Sequence, residues 1–338
     1  MDRGYILVTG CDSGFGRALA ETLVMKQHPV ILCFHRDESM HAFPSSVRKH
    51  VLDVTCKVSV EKFAKYVHDI LKTENAKLGS LVHNAGGLLV SGPVEWSSLE
   101  QDKAQMDLNF FGSLRVVKCF LPYIRESQGR IVLVSSLMGL VGSPLGGIYA
   151  ASKFALEGWA DSLRREMLAF QVSVHLIEPG MYTCTNFYGK YDSLVKDNWS
   201  RMHSSIRDAY GEDYMQYTVK RLVSLKNFFG SNSMHPVLNA MIHALFSSWP
   251  KHRYLVGTDC SVLGRILTWI PTSLADLALT IVDPFILCNW NMIPKMPTQA
   301  TNNWLGMVYM SLFRYNQFTL LAWMCIISSV VYAIVIAF

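Results

Sequence analysis

Tyr149-Ala-Ala-Ser-Lys153 holds a phenol and an ammonium four residues apart. On a helix that spacing puts both groups on one face. A free tyrosine titrates at about pH 10 and is a poor base at neutrality. A neighbouring cation favours the phenolate and draws the hydroxyl toward a useful acid/base range. Ser136 lies just beyond the apolar run 130–135, where its hydroxyl can hold a carbonyl or carbinol oxygen beside Tyr149. These residue types allow proton exchange at the oxygen of an alcohol or ketone. The same spacing also occurs as an exposed helical pair, so the reading needs a second site, one that handles the matching electrons.

Thr9-Gly10-Cys-Asp-Ser13-Gly14-Phe15-Gly16 supplies a candidate. It follows the β-rich run Tyr5–Thr9 and precedes helix-forming residues 17–26. Glycines in such a loop serve a tight turn, close backbone approach to a pyrophosphate, and packing of helix on strand. The following helix points its N–H groups and positive dipole end at phosphate. Leu52-Asp53-Val54 and Asn84-Ala85-Gly86 fall at later strand ends of the same sheet, where open α/β sheets bind ligands. The second strand ends in Phe34-His35-Arg36. An acidic residue there would bind a ribose 2′-hydroxyl and repel a 2′-phosphate. His35 or Arg36 can instead pair with that phosphate, which favours NADP over NAD. Against this, Ser13 in the glycine loop adds no positive charge for that phosphate.

Strand-like runs at Tyr5–Thr9, Val30–Phe34, 80–83, 130–135, 171–177 and 254–257 alternate with helical stretches at 17–26, 59–72, 101–121 and 149–170. Such alternation predicts an α/β fold, a Rossmann-type doubly wound parallel sheet with helices on both faces. It predicts a catalytic domain over 1–257, with 181–250 forming the substrate-binding region. The 338 residues are 50% hydrophobic and 17% charged, against about 25% charged in an ordinary soluble domain. Mean hydropathy is +0.21. Disorder and a many-span membrane protein are both excluded. A net charge of +5 without basic runs argues against nucleic acid. Eight cysteines without a C-x-x-C pair predict neither a metal site nor a disulfide framework.

The C-terminal part is different. Segment 258–317 reads as an apolar helical flap or membrane-interface segment, because Arg265, Pro271, Asp276, Asp283 and Pro284 interrupt its apolar stretch 262–290. Residues 318–338 carry no charge and are long enough to span a bilayer as a single-pass anchor. With no signal peptide expected upstream, the catalytic domain is predicted to be cytosolic and tethered to the endoplasmic reticulum membrane.

Together TGCDSGFG (9–16), NAG (84–86), Asn109, Ser136, YAASK (149–153) and Pro179-Gly180 resemble the short-chain dehydrogenase/reductase superfamily over residues 4–257. IRDAYGEDY (206–214) and KHRYLVGTD (251–259) look like its membrane-associated retinol and hydroxysteroid dehydrogenase branch. The resemblance implies that Tyr149 is the general acid/base, that Lys153 lowers its pKa and binds the nicotinamide ribose, and that Ser136 orients the reacting oxygen. Asn109 would hold a relay water. Thr9, Gly10, Ser13, Gly14, Phe15 and Gly16 would shape the pyrophosphate loop. Asp53 and Val54 would meet the adenine, Asn84, Ala85 and Gly86 would line the cofactor path, and Pro179 and Gly180 would cover the nicotinamide. His83 replaces the family's usual asparagine and reads as a core or surface residue. The usual threonine position holds Cys184, with Thr183 and Thr185 on either side, and Thr183 is taken as the cofactor contact. The branch usually carries an N-terminal anchor, which is not expected here because Asp2 and Arg3 lead directly into the run Tyr5–Thr9. Met138, Leu140, Met181, Tyr182, Phe187 and Tyr188 would form an apolar pocket beside Ser136 for a lipophilic alcohol or carbonyl, of retinoid or hydroxysteroid class. The alternatives are a ketoreductase for another lipid and a non-catalytic nucleotide-binding membrane scaffold. The two long helices resemble those through which family members pair, which implies a homodimer.

Overall fold

Val30–Phe34 is apolar at every position, and a strand of that kind is stable only where both faces are covered. All five of its residues are buried. The computed structural model describes residues 4–186, 189–276 and 278–279. In chain order its elements are β1 (Tyr5–Thr9), α1 (Gly14–Met25), β2 (Val30–Phe34), α2 (Asp37–Met40), β3 (Arg48–Val51) and α3 (Lys57–Thr73). Next come β4 (Leu78–His83), α4 (Leu99–Met106), α5 (Gly112–Glu126), β5 (Arg130–Val134), α6 (Gly147–Met167) and β6 (Ser173–Pro179). The last are α7 (Tyr191–Arg201), α8 (Ser204–Tyr210), α9 (Glu212–Phe229), α10 (His235–Phe246), β7 (Arg253–Val256) and α11 (Arg265–Trp269).

The strands form one seven-stranded sheet in the order β3-β2-β1-β4-β5-β6-β7. Every pairing is parallel. Helices cover both faces, as the alternating pattern predicts. On one face Phe63 of α3 meets Phe120 of α5 edge-on, ring centroids 5.4 Å apart, and α6 adds Leu156 and Leu163. On the other, Leu19 and Leu23 of α1 pack with Met241 of α10. Each such side chain contributes about 1.5–3 kcal/mol by leaving water. The chain runs from β1 outward to β3, then returns across β1 to β4. That reversal leaves a crevice at the carboxyl ends of the strands.

The single helix expected over 101–121 is two helices. Between α4 and α5, residues Asp107–Phe111 form a wider π turn, an irregularity common at functional sites. It turns Asn109 into the interior, 1% exposed. A smaller cluster under α7 and α9, built on Trp96, Trp199 and Met215, roofs the 181–250 region. Among the described residues no helix is long and apolar enough to cross a membrane. Residues 318–338 lie outside the described ones, as do 277 and 280–290 of the apolar stretch 262–290.

Candidate active site

A cavity of about 1090 Å³ opens at this crevice. Its floor at one end is the loop after β1. Gly10 has φ +71°, and a Cβ there would fall 2.8 Å from Ala85 Cα, so only glycine fits. Gly16 faces away from the cavity. A Cβ on it would lie 2.3 Å from the Gly10 carbonyl oxygen, so its role is to let α1 press onto the strand end. Thr9, Gly10, Ser13, Gly14 and Phe15 all line the cavity.

The β1 and β4 ends are stitched together. Thr9 Oγ1 accepts from the backbone N–H of Asn84 and Ala85, each at 3.1 Å, and Asn84 Nδ2 donates to the Gly10 carbonyl at 3.0 Å. Having accepted twice, the Thr9 hydroxyl directs its own hydrogen to His83 Nδ1, 3.2 Å away. Burial holds His83 down to about 3, helped by the Lys153 charge, so its ring is a neutral fastener. His35, Arg36, Asp53, Val54, Asn84, Ala85 and Gly86 continue along the cavity wall.

Sequence reasoning missed Asp12. Its carboxylate oxygens accept from the backbone N–H of His35 at 2.8 Å and Arg36 at 3.0 Å. Arg36 Nε lies 3.8 Å from the same carboxylate. Asp12 therefore clamps the chain where it leaves β2 and shapes the end of the cavity that His35 and Arg36 line.

The chemical end is built on α6 and β5. Tyr149 and Lys153 are each 6% exposed and both face the cavity with Ser136. Ser136 Oγ accepts from Met138 N at 3.2 Å, which fixes the turn after β5, and its hydroxyl hydrogen-bonds the Tyr149 phenol. Lys153 Nζ donates to the Val134 carbonyl at 3.0 Å and lies 5.9 Å from the Tyr149 ring centroid. Burial pushes the Tyr149 phenol up to about 12, with the Ser136 hydrogen bond opposing. Burial draws the Lys153 amine down to about 8, against the pull of Glu157. The expected lowering of the phenol by Lys153 is thus not met. Desolvation dominates, the one opposing group is Ser136, and the Lys153 ammonium is spent on the strand carbonyl, so the phenol stays protonated at neutral pH.

Asn109 does not reach the cavity wall. Its Oδ1 accepts from Gly87 N at 2.9 Å and its Nδ2 donates to Ser152 Oγ at 3.0 Å. Ser152 in turn donates to the Tyr149 carbonyl at 2.7 Å. The main-chain oxygen of Asn109 accepts from Ser113. Its contacts fasten the 84–87 loop to α6, one layer behind the phenol.

Pro179 and Gly180 end β6 on the opposite wall. Asp259, also missed, lies under them. A Cβ on Gly180 would sit 1.9 Å from Asp259 Oδ1, and Asp259 Oδ2 accepts from Met181 N at 2.6 Å. Thr183 is turned away from the cavity. Its N–H and hydroxyl both donate to Ser231 O, at 3.0 and 3.2 Å. Thr185 lines the cavity instead, its hydroxyl anchored on the Tyr182 carbonyl at 2.9 Å. Cys184 packs toward the core.

Met138, Met181 and Tyr182 line the cavity; Leu140 does not. Tyr182 stands edge-on to Phe15, centroids 5.3 Å apart. Phe187 and Tyr188 lie outside the described residues. Leu225 and Phe229 of α9, from the 181–250 stretch, and Leu263 and Leu267, from the 258–317 segment, complete an apolar chamber. A loop with no room for a Cβ, a helix N-terminus at the cavity, and polar groups spaced along one wall fit a dinucleotide.

Residues 4–193 match the family described as short chain dehydrogenase. The chain belongs to the short-chain dehydrogenase/reductase family, and it is by that class an NAD(P)-dependent oxidoreductase. It is 33% identical over 286 residues to 3beta-hydroxysteroid dehydrogenase dhs-16 of Caenorhabditis elegans, covering 81% of this chain and 74% of that one. It is 35% identical over 280 residues to retinol dehydrogenase 16 of Mus musculus, covering 81% and 87%. A solved short-chain dehydrogenase from Streptomyces avermitilis has TM-score 0.63 and 25% identity, over 85% of this chain and 97% of that one. The similarity to the retinol and hydroxysteroid dehydrogenase branch is thereby borne out.

Proposed function

We propose that this chain moves a hydride between NADP(H) and a lipophilic alcohol or carbonyl of retinoid or hydroxysteroid class. The observation that carries the reading is the meeting of Ser136, Tyr149 and Lys153 on one wall of a cavity whose far end is apolar. When bound, the nicotinamide supplies the two-electron carrier. Gly10, Ser13, Gly14 and Phe15 would hold its pyrophosphate, Asp53 and Val54 the adenine, and Pro179, Gly180 and Thr185 the nicotinamide side. Ser136 orients the reacting oxygen, Tyr149 exchanges a proton with it, and Lys153 holds a positive charge beside them. Asn109 positions the 84–87 loop against α6.

Purified full-length protein assayed with retinol and a 3β-hydroxysteroid, each with NAD⁺ and NADP⁺, tests this directly. Turnover of at least one alcohol is expected, and nucleotide binding without any turnover supports the scaffold alternative.

Arg36 supports the choice of NADP. It lines the cavity, and its side chain is 64% exposed. Arg36→Ala is expected to weaken NADP(H) about ten-fold or more, the scale of one charged hydrogen bond, and to spare NAD(H). Titration calorimetry with both nucleotides checks this, and equal losses would remove the NADP assignment.

Membrane attachment through 318–338, with the catalytic domain on the cytosolic face of the endoplasmic reticulum, is part of the same reading, since a lipophilic substrate is drawn from a bilayer. Alkaline carbonate is expected to leave the full chain in the membrane pellet, while a chain lacking 318–338 is released. Release of the intact protein would end the anchor assignment.

A further inference from the structure

α6 carries a third titratable group on the face that bears Tyr149 and Lys153. Glu157 lies one turn beyond Lys153 and is 5% exposed. Its Oε2 accepts from Nη1 of Arg253 on β7. The same Nη1 donates to Oε1 of Glu178 on β6 at 2.5 Å, and Nη2 lies 3.1 Å from Asp161. Three carboxyl groups thus share one guanidinium. A Cβ on Gly139 would lie 2.7 Å from Ser135 Oγ and 3.1 Å from Glu157 Oε1, so the carboxyl of Glu157 sits beneath the turn that carries Ser136.

Glu157 and Glu178 are both buried, and their carboxyl groups meet each other, with the Ser135 hydroxyl also at Glu157. Two ionised carboxylates cannot share one guanidinium in such a place, so one keeps its proton. Burial, reinforced by the Glu157 charge, holds Glu178 as the acid, up to about 8. The remaining negative charge rests on Glu157, one helical turn from the lysine.

We propose that Glu157 is a positioning residue of the proton-transfer site, its buried carboxylate keeping Lys153 an ammonium while substrate turns over. The inference rests on the roles of Tyr149 and Lys153 proposed above. Lys153 is faced on its own helix by Tyr149 and Glu157. His83 faces it from β4 and is neutral, and the Val134 carbonyl faces it from β5. Glu178 and Arg253 lie beyond Glu157 on β6 and β7. Burial pulls the Lys153 amine down and Glu157 opposes the fall. Without that charge the amine deprotonates at lower pH, and the site loses its cation there.

The test is the pH dependence of kcat/KM for wild type, Glu157→Gln and Glu157→Asp, with retinol or a 3β-hydroxysteroid as the probe, whichever the wild type turns over. Glu157→Gln is expected to keep most of its rate at pH 6.5 while its alkaline limb moves down by about one pH unit or more. Glu157→Asp, which keeps the charge, returns the limb toward wild type. If Glu157→Gln does not fold, Glu157→Met removes the same charge while Arg253 keeps Glu178 and Asp161, and it moves the limb the same way. A limb that superimposes on wild type, or that Asp shifts as far as Gln, overturns the inference alone. A wild type that turns over neither alcohol overturns the functional reading and this inference with it.

Discussion

Tyr149→Phe is expected to lower turnover by about 10²–10⁴-fold, the range supplied by one positioned proton donor or acceptor. The change removes a single oxygen. The ring remains buried among the same neighbours, and Lys153 keeps its bond to the Val134 carbonyl. Ser136 keeps the bond it accepts from Met138. The loop after β1 and the far wall with Arg36 do not involve Tyr149, so nucleotide affinity is expected to stay unchanged. Steady-state rates and calorimetric titration on the same sample check both halves. A loss of turnover with retained binding assigns the hydroxyl to chemistry. Wild-type turnover would remove Tyr149 from it, and loss of binding would mean the variant had damaged the cavity.

Arg253→Met is expected to cost about 3–5 kcal/mol of stability, the scale for removing one partner from a buried ion pair. Its guanidinium meets Glu157, Glu178 and Asp161, and Glu178 is fully buried. The sign of the pH dependence follows from Glu178. Its carboxyl is held near 8 in the folded chain, chiefly by burial, well above the about 4.3 of an unfolded glutamate. A group raised on folding stabilises most below its unfolded pKa, and that contribution is lost as pH rises through the folded value. Without Arg253 nothing offsets the loss. The deficit of the variant is therefore expected to be smaller at pH 5 than at pH 8.5. Urea unfolding at both values measures it, and an equal deficit at the two would show that the carboxyls are not what Arg253 neutralises.

What was legible in the sequence is what short stretches of chain decide. Apolar runs and glycine punctuation located β1, β2 and β5, and a four-residue spacing on one helix put Tyr149 with Lys153. Contacts made by distant parts of the sheet were not legible. Arg253 meets Glu157 because β7 pairs with β6 in a register that sets Leu255 beside Glu178, and no local pattern carries that register. Asp12 reads as one more loop residue until β2 arrives beside it to offer two N–H groups. Position alone favours Thr183 over Thr185. The bridge of Tyr182 to Ser231 takes up Thr183 and turns Thr185 inward. The acidity of Tyr149 went the other way from expectation, because spacing shows that a cation is near but not how dry the site is.

The most direct measurement follows deuterium from the carbinol carbon of a substrate alcohol in a single turnover, by mass spectrometry, in wild type and Tyr149→Phe. With Tyr149 exchanging the hydroxyl proton, wild type is expected to deliver the label to the nicotinamide ring and Tyr149→Phe to deliver almost none in the same time. Label released to solvent, or delivered equally fast without the phenolic oxygen, would contradict the account.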